Sequence, residues 1–247
     1  MITREELAAA HTLLAARVGR THTEDPEQPD TVQAMQIVLH LPKVDPPNRH
    51  DILAAAATAV VQVCLDPRVC RDPEYRDRLE TWYDHLIRKV TRRARNKGWS
   101  DAQAITGVTA QVGGAEARAF LPTPVSAVPA ELRKLQIQGT DLPREGEAEQ
   151  VTAEPELPRI YLDAGLAMTT GKAAAQAGHA AMLLAAHRDL DWVCRWAQHG
   201  FALTVAEVDS SIFRALADSP DAVTVQDAGF TEVAPNSTTV LAVPGRI

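Results

Sequence analysis

At 247 residues the chain has room for one large domain or two of ordinary size, and with 45% hydrophobic residues it can bury real cores, which excludes global disorder. Met1-Ile-Thr-Arg-Glu-Glu6 has no basic segment leading into an apolar one, and the apolar runs stop short of a bilayer span, so the expectation is a soluble, cytoplasmic protein with no membrane partner. The formal net charge of -7 argues against a nucleic-acid partner until it is mapped: residues 31–140 carry 15 Lys/Arg against 11 Asp/Glu, whereas 158–247 carry 6 against 9.

Cys64, Cys70 and Cys194 are odd in number and form no CxxC, against both a disulfide framework and a zinc site. Thr3-Arg-Glu-Glu6 has the form of a capping box, and Leu7, Leu13, Leu14 and Val18 give the helix after it an apolar side for docking or dimerising. Thr21 to Asp30 is rich in Glu, Asp, Pro and Thr, which makes residues 1–30 an N-terminal helix and linker.

An α/β domain is expected over 31–141. Ala34 to Leu41 reads as a buried strand; a Pro46-Pro47 turn, an apolar helix from about Arg49 to Leu65 and a second helix from Pro73 to about Lys97 follow. Strands are expected around Gly107 to Val112 and Ala115 to Leu121, and a helix near Pro129 to Leu135. On the second helix Arg88, Arg92 and Arg95 share one face. They belong to an acid-free run with Lys89, Arg93 and Lys97 that reads as a solvated face or as a phosphate track, with Trp99 beyond it to stack a base.

Leu142 to Glu156 is dominated by Glu, Pro and Gly without periodicity, so 142–157 is taken as a linker and 158–247 as a second α/β domain. There Arg159 to Leu162 predicts a strand, Gly171 to Arg188 a long helix and Asp191 to Gln198 another. Phe201 to Val208 predicts a strand, Ser211 to Ala217 a helix, and Val223 to Gln226 and Thr239 to Val243 the last strands. Ile37–Asp66 lies on Ile160–Asp189 without a gap, strand on strand and helix on helix, with Arg49 opposite Lys172. The first domain then reads as a degenerate copy of the second, or as an independent unit with the common strand, loop, helix opening. Leu53 and Ala56 stand opposite Gln176 and His179, so a copy would lack their polar stripe.

That stripe is the clearest site signal. Lys172, Gln176 and His179 are spaced i, i+4, i+7 on one side of an alanine-rich helix, and Gly171-Lys172 lies in its first turn, where free N–H groups favour an anion. A Walker A loop does not fit, because five residues separate Gly165 from Gly171 and Ala173 replaces the magnesium-binding hydroxyl. Asp227 falls between a strand and Gly229, where α/β sheets commonly carry sites and where Asp also forms turns on its own backbone.

Met168-x-x-Gly171-Lys172-x-Ala174-Ala175-Gln176-x-x-His179-Ala180, followed by Gln226-Asp227-Ala228-Gly229-x-Thr231-x-x-Ala234-Pro235-x-Ser237-x-Thr239-Val240-Leu241, resembles the type 2 peptidyl-tRNA hydrolases over about Pro158 to Gly245. The resemblance implies a small α/β sandwich with a four-stranded mixed sheet, and metal-free, cofactor-free hydrolysis of the ester of peptidyl-tRNA. It implies a catalytic set of Lys172, His179, Asp227 and Thr231: Asp227 or His179 for water activation, Thr231 for water positioning, Lys172 for the oxyanion or the 3′-end phosphate. Gly171, Gln176 and Ser237 are candidate substrate contacts, and Arg88, Arg92 and Arg95 candidate tRNA contacts. Family domains often pair, which implies a homodimer or an intramolecular pseudo-dimer. Basic positions of the family are Ala167, Thr169, Thr170, Ala202 and Phe230 here, and Asn236 replaces a glycine. A weakened tRNA- or protein-binding protein, or a hydrolase of another peptidyl or aminoacyl ester, are the rival readings.

Overall fold

The computed structural model describes residues 2–17, 25, 27–144, 155–227, 229 and 232–247. Helix α1 (Arg4–Arg17) opens on the capping box: the Thr3 N–H donates to Glu6 Oε2 at 3.0 Å, and the Glu6 N–H donates to Thr3 Oγ1 at 3.3 Å. Leu7, Ala10, Leu13 and Leu14 bury its apolar side. Val18 lies outside the described residues, as do 21–24 and 26 of the first linker and 145–154 of the second.

The first half continues through β1 (Gln33–His40), α2 (Arg49–Cys64), α3 (Arg68–Arg71), α4 (Pro73–Tyr83), β2 (Arg88–Ala94), α5 (Asn96–Gln103), β3 (Gly107–Val112), β4 (Ala115–Phe120), β5 (Thr123–Pro124) and α6 (Ala130–Arg133). One expectation is overturned here. The helix starting at Pro73 ends at Tyr83, and Arg88 to Ala94 is a strand lying parallel to β1, with Ala34 opposite Arg88 and His40 opposite Ala94. Arginine and lysine are good helix formers in isolation, but the unpaired side of β1 offers this segment a full hydrogen-bonded ladder, and cations suit a sheet edge. The helical face joining Arg88, Arg92 and Arg95 therefore does not form.

The second half runs β6 (Arg159–Asp163), α7 (Thr170–His187), α8 (Leu190–Gln198), β7 (Thr204–Val208), α9 (Ser210–Ala217), β8 (Val223–Gln226) and β9 (Thr238–Val243). Its sheet has the order β7-β6-β9-β8, and the first sheet has β2-β1-β4-β3 with β5 added on β1. In each, the first strand pairs parallel with the strand after the helices and antiparallel with the last long one. The registers correspond: Ile37 faces Ala119 and Leu39 faces Ala117, while Ile160 faces Ala242 and Leu162 faces Val240.

Between the sheets lie α2 and α7, packed on each other, with α2 also against β7 and α7 against β2. Both helices are rich in small buried residues: Ala54 to Ala57 on one, Ala173, Ala174, Ala177, Ala180 and Ala181 on the other. A Cβ at Gly178 would stand 2.8 Å from Val60 Cγ2, so this residue sets how closely the helices approach. One apolar cluster consequently runs from Leu7 of α1 through both halves to Ala242 of β9. The outer faces carry separate clusters, Val38, Ala94, Phe120 and Leu132 under α5 and α6, and Tyr161, Ala206, Phe213 and Leu241 under α9. The stretch Arg49–Arg71 has the length and hydropathy of a membrane span, and 78% of that window is buried inside the protein.

Candidate functional site

Helix α7 begins at Thr169, whose Oγ1 accepts from the Lys172 N–H at 3.2 Å. Glu232, from the loop between β8 and β9, accepts from both the Thr169 N–H (2.9 Å) and its hydroxyl (2.7 Å). The next two donors are taken by the segment that leaves the first half. The Gly171 N–H donates to Thr140 Oγ1 at 3.0 Å, and the Thr170 N–H donates to Asp141 Oδ1 at 3.4 Å. A Cβ at Gly171 would lie 2.8 Å from Thr140 Oγ1, so the missing side chain admits this strap. The anion expected on these N–H groups is thus replaced by the protein's own hydroxyl and carboxylate, and Gly171 is a packing contact in this structure.

In the same first turn, the Lys172 ammonium contacts Asp227 Oδ2, with only 11% of the lysine side chain and 7% of the aspartate exposed. This offsets the conflict between a cation and the positive end of the helix. Gln176 Nε2 donates to the same oxygen at 2.6 Å, and its own Oε1 accepts from Thr239 Oγ1 at 2.8 Å. The acceptor-only carboxylate decides which end of the amide faces it, and the Thr239 hydroxyl satisfies the other end. Asp227 Oδ1 accepts from the Gly229 N–H at 2.8 Å, so the turn-forming role and the site role coexist in one side chain. Three of about four acceptor positions on the carboxylate are used by described residues, and a water can take the remaining one.

His179 continues the stripe but turns to a different partner. Its Nδ1 lies 3.0 Å from Nζ of Lys89 on β2, a residue of the first half. Burial, with the charges of Lys89 and Lys172 added, holds the imidazole well below its ordinary pKa, so the ring is neutral near pH 7. Burial also pushes Lys89 down to about 7.

Of the four predicted catalytic residues, the structure joins Lys172 to Asp227, sets His179 further along the same helix against Lys89, and leaves Thr231 outside the described residues. Gln176 supports Asp227 from a buried position. Ser237 enters through its backbone, its carbonyl accepting from the Asp227 N–H at 2.9 Å. The arginines part company. Arg92 is buried and structural, donating to Gln36 Oε1 and to the Leu135 carbonyl, each at 2.8 Å; Arg88 is half-buried at the start of β2. Arg95 lines an open groove of about 280 Å³ with Arg93 and Lys134. Trp99 already stacks on His40, their ring centroids 4.8 Å apart.

Glu232, Thr140 and Asp141 were missed by sequence reasoning, while Lys89 and Thr239, named in the basic run and in the second motif, were not read as partners of His179 and Gln176. Thr239 is one of two threonines that open an otherwise apolar last strand, a pattern that β-formers also give, while the others are brought in from distant segments. Among the described residues, no group of three His, Cys, Asp or Glu side chains gathers to hold a metal ion.

The fold and site of the second half define a small α/β sandwich domain with a lysine–carboxylate pair at the base of its principal helix. Residues 160–246 match the model of the family described as peptidyl-tRNA hydrolase PTH2, and this C-terminal region is a domain of that family; residues 1–159 lie outside the match. Neither a search of curated proteins nor one of solved structures gave a match.

Proposed function

We propose that the chain hydrolyses the ester joining peptide to tRNA, releasing the peptide and free tRNA in the cytoplasm. The observation that carries the reading is the Lys172, Asp227, Gln176 and Thr239 cluster inside the family-matched segment. A water oriented on the Asp227 acceptor position that no described residue takes attacks the ester carbonyl. Charge developing on the carbonyl oxygen is met by the Lys172 ammonium, and the bond to the ribose oxygen breaks with a proton passing to that oxygen. Water activation is assigned to Asp227 over His179, because His179 Nδ1 is already engaged by Lys89.

Phosphate contacts are assigned to the groove of Arg93, Arg95 and Lys134, in place of the helical track. We also take the first half as a degenerate copy of the second. The shared strand order and the corresponding registers support this, and α2 against α7 would then be a pseudo-dimer contact within one chain.

One observation favours a second reading. Thr140 and Asp141 cover the first N–H groups of α7, which suits a protein that binds tRNA without cleaving it. Single-turnover cleavage of N-acetylaminoacyl-tRNA by the full chain, beside Lys172→Ala and Asp227→Ala, decides between them. The hydrolase reading expects cleavage that both substitutions abolish; tRNA binding with an intact ester overturns it.

A further inference from the structure

Lys89 lies outside the family-matched segment, yet its side chain ends at a residue of the matched domain. Along β2, Lys89, Thr91 and Arg93 stand on one face of the strand, and α7 packs on that strand. Lys89 Nζ is 3.0 Å from His179 Nδ1, 3.9 Å from Met182 Sδ and 5.1 Å from the ring centroid of the buried Trp82. An apolar wall, a thioether and an aromatic face thus surround an ammonium group whose strongest acceptor among the described residues is a ring nitrogen.

An ammonium has three donors and no acceptor, so the nitrogen it addresses must offer a lone pair. We infer that Lys89 is a positioning residue for the site on the second half: it holds His179 as the neutral tautomer protonated at Nε2, leaving an N–H donor there instead of a base. The site is then completed by the first half of the chain. The tautomer stands on the contact geometry with Lys89 protonated, the form that prevails at pH 6.5, below its value of about 7; its kinetic consequence rests on the hydrolase reading.

The titratable neighbours agree. Cys64 of α2 faces Lys89 with its thiol pushed up to about 11 by burial, and burial also raises the Tyr83 phenol of α4 well above its ordinary value, so both are neutral. From α7, Lys172 adds only positive charge at His179. With no carboxylate among these neighbours, the imidazole lone pair is what the ammonium meets. An Nε2–H can donate to an oxygen of the substrate and cannot take a proton from water, which agrees with water activation by Asp227.

The test is nitrogen-detected NMR of histidine-labelled full chain at pH 6.5, with Lys89→Met and Lys89→Arg, alongside single-turnover cleavage. In the unsubstituted protein the His179 signals should show a proton on Nε2 and a bare Nδ1. Lys89→Met should give a mixture of tautomers and slow the chemical step about tenfold, the size of one hydrogen bond's net contribution, with KM little changed. Lys89→Arg should restore the single tautomer and most of the rate. A proton on Nδ1 in the unsubstituted protein overturns the inference, as does a single Nε2–H tautomer persisting in a folded Lys89→Met. If Lys89→Met does not fold, the unsubstituted spectrum and the Lys89→Arg spectrum decide. The spectra settle the matter whether or not the ester is cleaved, and cleavage tests the hydrolase reading separately.

Discussion

Arg49 and Lys172 occupy corresponding positions in the two halves, each in the first turn of its central helix, and they find their carboxylates in opposite ways. Lys172 meets Asp227 of its own half. Arg49 crosses to the other, donating to Glu207 Oε2 at 2.8 Å and Oε1 at 3.1 Å, to Thr170 Oγ1 at 2.5 Å and to the Met168 carbonyl at 3.0 Å. One position thus serves the candidate site and its counterpart serves the joint between the halves.

Arg49→Met should therefore destabilise the whole protein. Arg49 is 2% exposed and the Glu207 side chain 9%, so the substitution leaves a buried carboxylate with only the more distant His50, at 3.8 Å, and Arg144, at 4.0 Å, at a cost of up to about 3–5 kcal/mol. Arg49→Met with Glu207→Leu should recover much of this, since the poorly compensated charge goes too. Urea unfolding of the two variants measures it; equal stability of the single and double variants would contradict the assignment.

Asp227→Asn keeps the shape of the side chain and removes the charge that pairs with Lys172. It should lower cleavage about 10²- to 10⁴-fold, as expected for loss of a general base, with the fold retained. Thr239→Val acts one bond further back: Gln176 Oε1 loses its hydroxyl donor, which loosens the amide beside Asp227, and a decrease of about tenfold is expected. Single-turnover rates with circular dichroism as the folding control separate both effects from unfolding.

Stability should rise with pH in two windows, and the signs follow from downward shifts of two bases. Between the folded value of Lys89, about 7, and its ordinary 10.5, the unfolded chain holds a proton that the native one has released, so raising pH favours the native state there. His179 lies well below 6.5 in the native protein, so as pH falls below 6.5 the unfolded chain gains a proton and stability drops. Lys89→Met should flatten the alkaline slope and His179→Gln the acid one in urea titrations from pH 5 to 10. Unchanged slopes would count against buried, neutral forms of these groups.

Arg95→Ala should weaken tRNA binding equally across sequences and reduce the slope of log affinity against log salt by about 1. Arg92→Ala should leave that slope alone and lower stability, because its guanidinium serves Gln36 and the Leu135 carbonyl. Binding titrations from low to moderate salt distinguish the two, and a reduced slope in Arg92→Ala would reverse the assignment.

Much of the architecture was legible because it is local. Strand alternation at Gly107–Val112 and Val223–Gln226, the capping box at Thr3, and the alanine-rich helix carrying Lys172, Gln176 and His179 follow from backbone periods and cap chemistry, which neighbouring residues determine. The two spaced motifs also pointed to the family that residues 160–246 match. What the chain could not disclose locally was decided by which surfaces meet. Arg88 to Ala94 is a strand because β1 lies beside it, and Arg92 is buried because the Leu135 carbonyl waits there. Thr140 and Asp141 cap a helix about thirty residues away in the other half, and His179 is turned toward Lys89 by the packing of α7 on β2. Sequence by itself determined each helix and strand whose pattern is set within a few residues; the tertiary structure alone decided the partners of its charged groups, because a charge or donor leaving water takes whichever complementary group the packed elements bring within reach.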